Sequence, residues 1–381
     1  MKCLMYQWNS YFDEDVKELL KDRGISMDSF VYHFTDYEND DAFLHNFDSY
    51  TKTTYDFVIS VNFWPLIAKG CHEKGLKYIA WCYDCPLNIL NPEKAMAFPG
   101  NTIFLFDRKQ FEEYQNKGID TVHHLMLGVN KKRALNFKHD EAITTKYMTD
   151  VSLIGSLYES QLGIICSKLD NGTRAVLEEI VKVQENLYDR YIIGQVLTDG
   201  LMSVIKAPYE ETGLDISRKA VEFALACEVT RKNRLVLLNL FGRRFKTKLY
   251  SFQTFEKLDG VEQCGVLDYR TELPYAAKYS KINLNPILRI TQTGIPLRAF
   301  DIMGHEGFLL SSWQEEMAEQ FKDGSDLIMY KSYEEALDKA SYYLSHDDER
   351  ERISLSGYTK VMEKHTLEQR FDEILKISKV I

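Results

Sequence analysis

The sequence predicts an α/β protein of two successive domains, each a doubly wound parallel sheet with helices on both faces. Three observations predict it. The chain has 381 residues, too many for one ordinary core at about 150 residues per domain. Short apolar runs alternate with amphipathic ones through residues 1–145, the pattern of strand–helix–strand units with right-handed crossovers. From residue 151 the alternation restarts, and at 281–312 it reaches a strand, a polar turn, Gly294-Ile295-Pro296, a helix and a further strand, a unit of nucleotide-binding type.

Composition narrows the class. With 45% hydrophobic, 13% aromatic and 27% charged residues, core material is ample. A formal net charge of -10 and a pI near 5.5 argue against non-specific nucleic-acid binding, which needs a basic face to neutralise phosphates. No run approaches the roughly 18 apolar residues of a membrane span. Met1-Lys2-Cys3-Leu4-Met5 leads straight into polar Gln7 and Asn9, so a cytoplasmic location without a signal peptide is expected. Seven scattered cysteines suggest reduced thiols. Trp81-Cys82-Tyr83-Asp84-Cys85-Pro86 copies a redox motif superficially, but its proline stands where a helix should run on, which argues against redox chemistry. No histidine and cysteine spacing has the pattern of a zinc site.

In the first domain, residues 3–8 form a strand, 13–22 a helix with Val16, Leu19 and Leu20 on one face, and Gly24 a C-terminal stop. Strands follow at 30–34, 57–61, 78–82, 102–106 and 122–127, with a helix at 66–74. Ligands of such sheets collect at the carboxyl ends of the strands, which places Asn9, Asn62, Asp84 and Asp107 on one rim.

In the second domain, a strand at 151–154 runs into Gly155-Ser156, a turn whose backbone can lie close to a ligand. A helical insertion spans about 159–232. A strand at 235–240 follows, flanked by Arg231, Lys232, Arg234, Arg243, Arg244, Lys246 and Lys248, charges that mark either solvated strand ends or a site for phosphate or an acidic partner. Residues 261–266 form a strand and 273–279 a helix. In the stretch 281–312, Pro296 suits a first helical turn, because its missing N–H would lack a partner there anyway. The turn then either caps an ordinary helix or aims free N–H groups and Arg298 at a phosphate. Helices at 333–344, 348–366 and 369–379 close the chain. The divisions expected are 1–145, 146–365 and a C-terminal helix at 366–381.

The phrases that occupy these positions are, in the first half, Ser60-Val61-Asn62-Phe63-Trp64-Pro65, Tyr83-Asp84-Cys85-Pro86, Phe104-Leu105-Phe106-Asp107-Arg108 and Leu127-Gly128-Val129-Asn130. In the second they are Leu153-Ile154-Gly155-Ser156, Gly265-Val266-Leu267-Asp268-Tyr269, Asn283-Leu284-Asn285, Gly294-Ile295-Pro296-Leu297-Arg298, Phe300-Asp301 and Gly307-Phe308-Leu309-Leu310. Together they resemble the spore maturation protein CgeB-like family of glycosyltransferases, with a second half similar to glycosyltransferase family 4. The resemblance covers nearly the whole chain and implies a bacterial enzyme of the GT-B fold, two Rossmann-like domains facing a cleft.

On that resemblance the second domain binds a nucleoside diphosphate sugar, with UDP the expected nucleotide. Gly155 and Ser156 approach the phosphates, Asp268 and Tyr269 lie by the base, Asn285 lines the site, and Gly294, Ile295, Pro296, Leu297 and Arg298 hold the diphosphate. Asp301 stands where family 4 enzymes carry the second of two glutamates and implies a contact to the ribose hydroxyls. The first glutamate of that pair falls at Thr293, which is not acidic. The first domain takes a protein or glycan acceptor, with Asn9, Tyr11, Asn62, Asp84 and Asp107 along the cleft. Asp84 aligns with a histidine-aspartate phrase whose histidine is here Tyr83.

Glycosyl transfer passes through an oxocarbenium-like centre as a diphosphate leaves, so stabilising that leaving group is the main electrostatic task. Arg298 and a helix start suit it. No paired-aspartate metal motif stands out, so neither a metal nor a cofactor is expected. An inverting enzyme needs a general base, for which Asp84 and His124 are candidates, and a retaining one can use the leaving phosphate. His123 and His124 straddle a strand, so one of them packs or faces water. Asp84 alternatively caps the turn before Pro86. The expected activity is that of a retaining, metal-independent hexosyl- or N-acetylhexosaminyltransferase. The alternative is a nucleotide-sugar-binding or scaffold protein impaired in turnover, which Thr293 would permit. The sequence leaves the oligomeric state open.

Overall fold

Two six-stranded sheets, both parallel throughout, organise the computed structural model, which describes every residue except 88, 90 and 213–215. The chain divides into two compact units. The first comprises Met1–Leu135, Thr293–Phe300 and Val361–Ile381, the second Asn136–Gln292 and Asp301–Lys360. This differs from the sequence-based division in three places. Residues 136–145 belong to the second unit. The turn at 293–300 belongs to the first unit, and so does the C-terminal helix, which is not a separate element.

The first sheet has the order β2 (Ser26–Val31), β1 (Lys2–Gln7), β3 (Phe57–Val61), β4 (Tyr78–Trp81), β5 (Asn101–Leu105) and β6 (Val122–His124). Its order reverses between β1 and β3, and a crevice forms beyond the carboxyl ends of two such strands. Alternation along β1 sorts its side chains: Leu4 and Tyr6 join Phe43, Phe47, Leu66 and Ile67 on one face. Cys3 and Met5 join Val16, Leu19 and Leu20 of the helix Asp13–Asp22 on the other. That second face is completed by Leu367, Phe371, Ile374 and Leu375 of the helix Leu367–Ile377. Its entry is held by a bridge in which Val129 donates to His365 and Leu367 donates back to Val129, at 3.0 and 2.8 Å. Gly128 is required beside it, because a Cβ there would lie 2.6 Å from the His365 carbonyl oxygen.

The second sheet runs β12 (Ile328–Tyr330), β11 (Leu309–Ser312), β10 (Ser280–Asn285), β7 (Thr149–Ile154), β8 (Thr247–Tyr250) and β9 (Val261–Gln263). Its order reverses between β7 and β10. The expected strand at 235–240 is instead the last turns of a 25-residue helix, Arg218–Gly242. The reason is burial: Val221, Ala224, Leu225 and Val229 pack into a helical layer, while Leu237, Leu238 and Phe241 pack on the sheet. A short apolar run buried on every side has no period that separates strand from helix. The strand lies later, at β8, four residues that follow Lys246 and include Lys248. Strand β2 is also earlier than the expected 30–34, and among its residues only Phe30 is buried. The helical insertion expected at about 159–232 is present through Gly242, apart from residues 213–215, which lie outside the described set. Among the described residues no helix is long and apolar enough to cross a membrane.

Candidate functional site

On the first unit's rim, Asn9 lies two residues beyond β1 and Asn62 directly follows β3, the strands that flank the order reversal, and both adopt left-handed backbone at φ 66° and 60°. Asparagine tolerates this conformation better than most residues. Asn62 is buried, and its carboxamide serves two neighbours. Nδ2 donates to Asp84 at 2.7 Å, while Oδ1 accepts from the backbone N–H of Tyr83 at 3.1 Å and of Asp84 at 3.3 Å. Asp84 itself has its surface open to solvent. Protein nevertheless crowds it, and this desolvation raises its carboxyl pKa above the ordinary value, with the Asn62 amide acting in the opposite sense. The structure thus brings Asn62 and Asp84 together.

Asp107 has a different role from the one expected on that rim. It is buried, and its carboxylate caps the helix Arg108–Asn116 through the Gln110 N–H at 2.9 Å. The other oxygen accepts from the N–H groups of Thr293 and Gly294, at 2.9 and 3.0 Å. Gly294 is required there because a Cβ would meet the Phe106 ring and carbonyl oxygen at 2.8 Å. Two of the turn's N–H groups are therefore committed to a carboxylate, and Pro296 has none. The phosphate-binding expectation for residues 294–298 rests on Arg298, half-buried one residue into the helix Leu297–Gly304. Leu297 packs against the core of the first unit. His124 ends the edge strand β6, with β5 between it and β4, so the structure does not bring it to Asp84. Its ring lies 6.1 Å from Phe111. Tyr11 is largely exposed. Cys82 is buried, which pushes its thiol well above the ordinary range and removes the thiolate that redox chemistry needs.

On the second unit's rim, Gly155 follows β7 at φ 131°, a conformation open to glycine. The Ser156 hydroxyl donates to Gln253 at 2.9 Å and accepts from the Tyr158 N–H at 2.9 Å, so it shapes the turn. Asp268 accepts from Arg270 and Thr271 N–H groups and from the Thr271 hydroxyl, at 3.1, 2.7 and 2.6 Å, and the Thr271 bonds lower its pKa. It is a turn cap ahead of the helix Leu273–Tyr279. Tyr269 and Asp301 are brought together, with the phenol donating to the buried carboxylate at 3.2 Å. Asn285 is wholly buried, its amide donating to the Ser311 hydroxyl at 3.0 Å across β10 and β11. That places it inside the sheet.

Two arginines were not singled out by any motif. Arg234, in the helix Arg218–Gly242, has no exposed surface. Its guanidinium donates to the carbonyl oxygens of Ser156 and, at 2.6 Å, Pro286, and lies 4.8 Å from the centroid of the Tyr158 ring. It thereby ties together the loops that leave β7 and β10, on either side of the order reversal. Arg289 lies three residues beyond Pro286, its guanidinium 4.7 Å from the Tyr188 ring centroid. Part of its surface remains accessible, yet it is enclosed enough that burial lowers its pKa, as it does for Arg234. Among the described residues, the groups that raise these two pKa values are the phenols of Tyr158, Tyr188, Tyr330 and Tyr333 and the Cys227 thiol, with no carboxylate among them. Two cations without a neutralising anion among the described residues thus flank the carboxyl ends of β7 and β10. The sequence held Arg234 within a run of basic residues, but only burial distinguishes it from its solvated neighbours.

Residues 220–376 match the family described as glycosyl transferase-like. No curated protein matches the chain by sequence. Among solved structures, a glycosyltransferase from Rickettsia africae is similar at 14% identity and a TM-score of 0.55, over 100% of this chain and 98% of that one. Sucrose-phosphate synthase from Thermosynechococcus elongatus is similar at 9% identity and a TM-score of 0.57, over 100% and 98%. Anabaena Alr3699/HepE, solved in complex with UDP and glucose, is similar at 8% identity and a TM-score of 0.55, over 100% of each chain. At these identities the likeness is one of fold, and the two parallel six-stranded sheets are those of the GT-B glycosyltransferases, with the glycosyl transferase-like match falling on residues 220–376.

Proposed function

We propose that the chain transfers a sugar from a nucleoside diphosphate sugar to an acceptor hydroxyl, with a UDP-sugar as donor, retention of configuration and no metal requirement. The carrying observation is the pair Arg234 and Arg289, enclosed cations that meet no carboxylate among the described residues, at the order reversal of the second sheet. A buried charge left uncompensated by the protein attracts an anion strongly, because little solvent screens it. A diphosphate that gains charge as the glycosidic bond breaks is such an anion, and fixed cations stabilise it without reorganisation. Support comes also from the glycine turn at Gly155 and from the Tyr269 and Asp301 pair, a phenol and a carboxylate suited to a nucleoside. In the first unit, Asp84 is the candidate for contact with the acceptor hydroxyl.

Thr293 favours a second reading, a donor-binding protein without turnover, since it stands where the resemblance implies an acid. Turnover distinguishes the two. Nucleotide-sugar hydrolysis or transfer, with calorimetry of UDP on the wild type and Arg289→Leu, tests the proposal. Arg289→Leu is expected to weaken UDP binding by about 1.5 to 3 kcal/mol, the range for hydrogen bonds to charged groups. UDP binding without turnover of any nucleotide sugar selects the second reading, and an unchanged affinity in Arg289→Leu removes the arginine pair from the site.

A further inference from the structure

The first sheet's rim carries aromatic rings beside its polar residues. Trp8 directly follows β1, Phe34 and Tyr37 lie in the segment after β2, Trp64 precedes the helix Pro65–Glu73 after β3, and Tyr83 lies just beyond β4. Trp64 is the centre of the group. Phe34 stacks on it with centroids 5.5 Å apart and planes at 22°. Tyr37 tilts against it at 5.7 Å and Trp8 meets it edge-on at 5.8 Å. Trp8 in turn lies parallel to Tyr83, at 6.5 Å and 17°.

Both indole N–H groups donate to one acceptor, the Val61 carbonyl oxygen at the end of β3, each at 3.0 Å. The consequence is twofold. The rings are fixed relative to the backbone, and neither indole has a donor left for a ligand. They offer ring surface alone. Trp8, Trp64 and Phe34 pack partly against the core beneath, whereas Tyr37 is 49% exposed. A cluster serving only the core would have no reason to extend outward to Tyr37 or to adjoin Asn62 and Asp84.

A sugar ring matches this surface. Its C–H face is attracted to the electron-rich face of an aromatic ring, and its hydroxyls need donors and acceptors at the margin. Asn62 and Asp84 provide polar atoms next to Tyr83. Charge narrows the choice further, because Asp36, Glu38, Asp40 and Asp41 follow β2 in the same segment as Tyr37. Such a loop repels a phosphate-rich or otherwise polyanionic acceptor. A proline-rich peptide also uses aromatic grooves, but its carbonyls would find neither indole donor here, since Val61 engages both.

We infer that this rim binds a neutral glycan acceptor, its sugar rings stacked along Tyr37, Trp64 and Trp8 with a hydroxyl turned to Asp84. The inference names the acceptor class for the proposed transferase, and the binding step can be measured apart from transfer. The experiment titrates the full-length protein with cellohexaose, laminarihexaose, maltohexaose and chitohexaose, and with decaproline, by tryptophan fluorescence and calorimetry, and measures UDP affinity on the same preparation. Saturable binding of at least one of the oligosaccharides at millimolar concentration is expected. Tyr37→Ala and Trp64→Ala should weaken it by about tenfold or more, worth about 1.4 kcal/mol. Trp64→Phe, which keeps a ring, should restore most of it, and UDP affinity should stay unchanged in all three. Tyr37 is exposed enough that its truncation leaves the fold intact. Absence of binding by all four oligosaccharides, wild-type affinity in both alanine variants, or preference for decaproline overturns the inference. UDP binding without glycan binding would sink this inference alone. Glycan binding without UDP binding would support it and overturn the transferase reading.

Discussion

The Asn62 carboxamide holds Asp84 from two sides, donating to its carboxylate at 2.7 Å and accepting its backbone N–H at 3.3 Å. A side chain fixed this way has its carboxylate orientation set by β3 and its backbone position set by β4. It is a support for the candidate acceptor contact that no local motif announces.

Removing the charge while keeping the shape is the direct test of Asp84. In Asp84→Asn, turnover should fall by about a hundredfold or more, while UDP affinity and melting temperature stay close to wild type. A melting temperature that drops with nearly normal turnover would assign Asp84 to the turn alone.

The pH profile reports on the same pair. Desolvation raises the Asp84 pKa, so it takes up a proton at a higher pH than an ordinary aspartate at about 3.9. The acid limb of kcat should therefore lie above that value, with activity lost as pH falls through it. Asn62 opposes the shift by stabilising the charged form, so in Asn62→Ala the limb should move further towards neutrality. A limb that stays in place would uncouple the amide from the titration.

Asp107 and Gly294 should behave as structural partners. Asp107→Ala leaves three backbone N–H groups without their acceptor, and a loss of about 1 to 3 kcal/mol in urea unfolding is expected. Gly294→Ala presses a methyl group onto Phe106, at a similar cost for overpacking. In Gly294→Ala, UDP affinity should change less than in Arg298→Ala, where about 1.5 to 3 kcal/mol of UDP affinity is expected to be lost. Calorimetry at a temperature where all variants are folded decides this, and a larger UDP defect in Gly294→Ala would return the turn's backbone to the phosphate site.

Arg234→Lys is not a conservative change, because a single ammonium cannot reproduce a fork that spans two carbonyl groups. With the loops after β7 and β10 no longer tied, KM for the donor should rise severalfold. KM for an acceptor, measured at saturating donor, should hold. Equal defects in both would indicate general loosening of the fold.

Transfer should persist in a chelator, since enclosed guanidinium groups can meet the charge that a metal would otherwise offset. Activity abolished by EDTA and restored by magnesium or manganese would refute this.

Much of the architecture was legible because parallel sheets buried on both faces write long apolar runs into the sequence. Residues 57–61 and 78–82 are examples, and the rim positions Asn62 and Asp84 followed from where those runs stop. Four things were hidden for physical reasons. The run at 235–240 is apolar on all sides, so strand and buried helix look alike there. Asp107 meets Gly294 across 187 residues, and a contact of that separation leaves no local trace. Arg234 sits among seven basic residues, and the loss of its solvent is a property of packing. The aromatic rim fell in the same class, since Phe34, Trp64 and Trp8 approach one another only once β1, β2 and β3 are side by side.

The helix Leu367–Ile377 supplies Leu367, Phe371, Ile374 and Leu375 to the core of a sheet whose strands all lie before residue 125. On the ribosome, at about 5–20 residues per second, the nascent sheet therefore waits through more than two hundred further residues with this face covered only in part, by the helix Asp13–Asp22, and with Trp81 lacking the Phe371 ring that stacks on it. The interval is tens of seconds at the slow end, long enough for a trigger-type chaperone to engage that face. A stop codon anywhere upstream of Leu367 would release a chain with that surface permanently open and mark it for degradation.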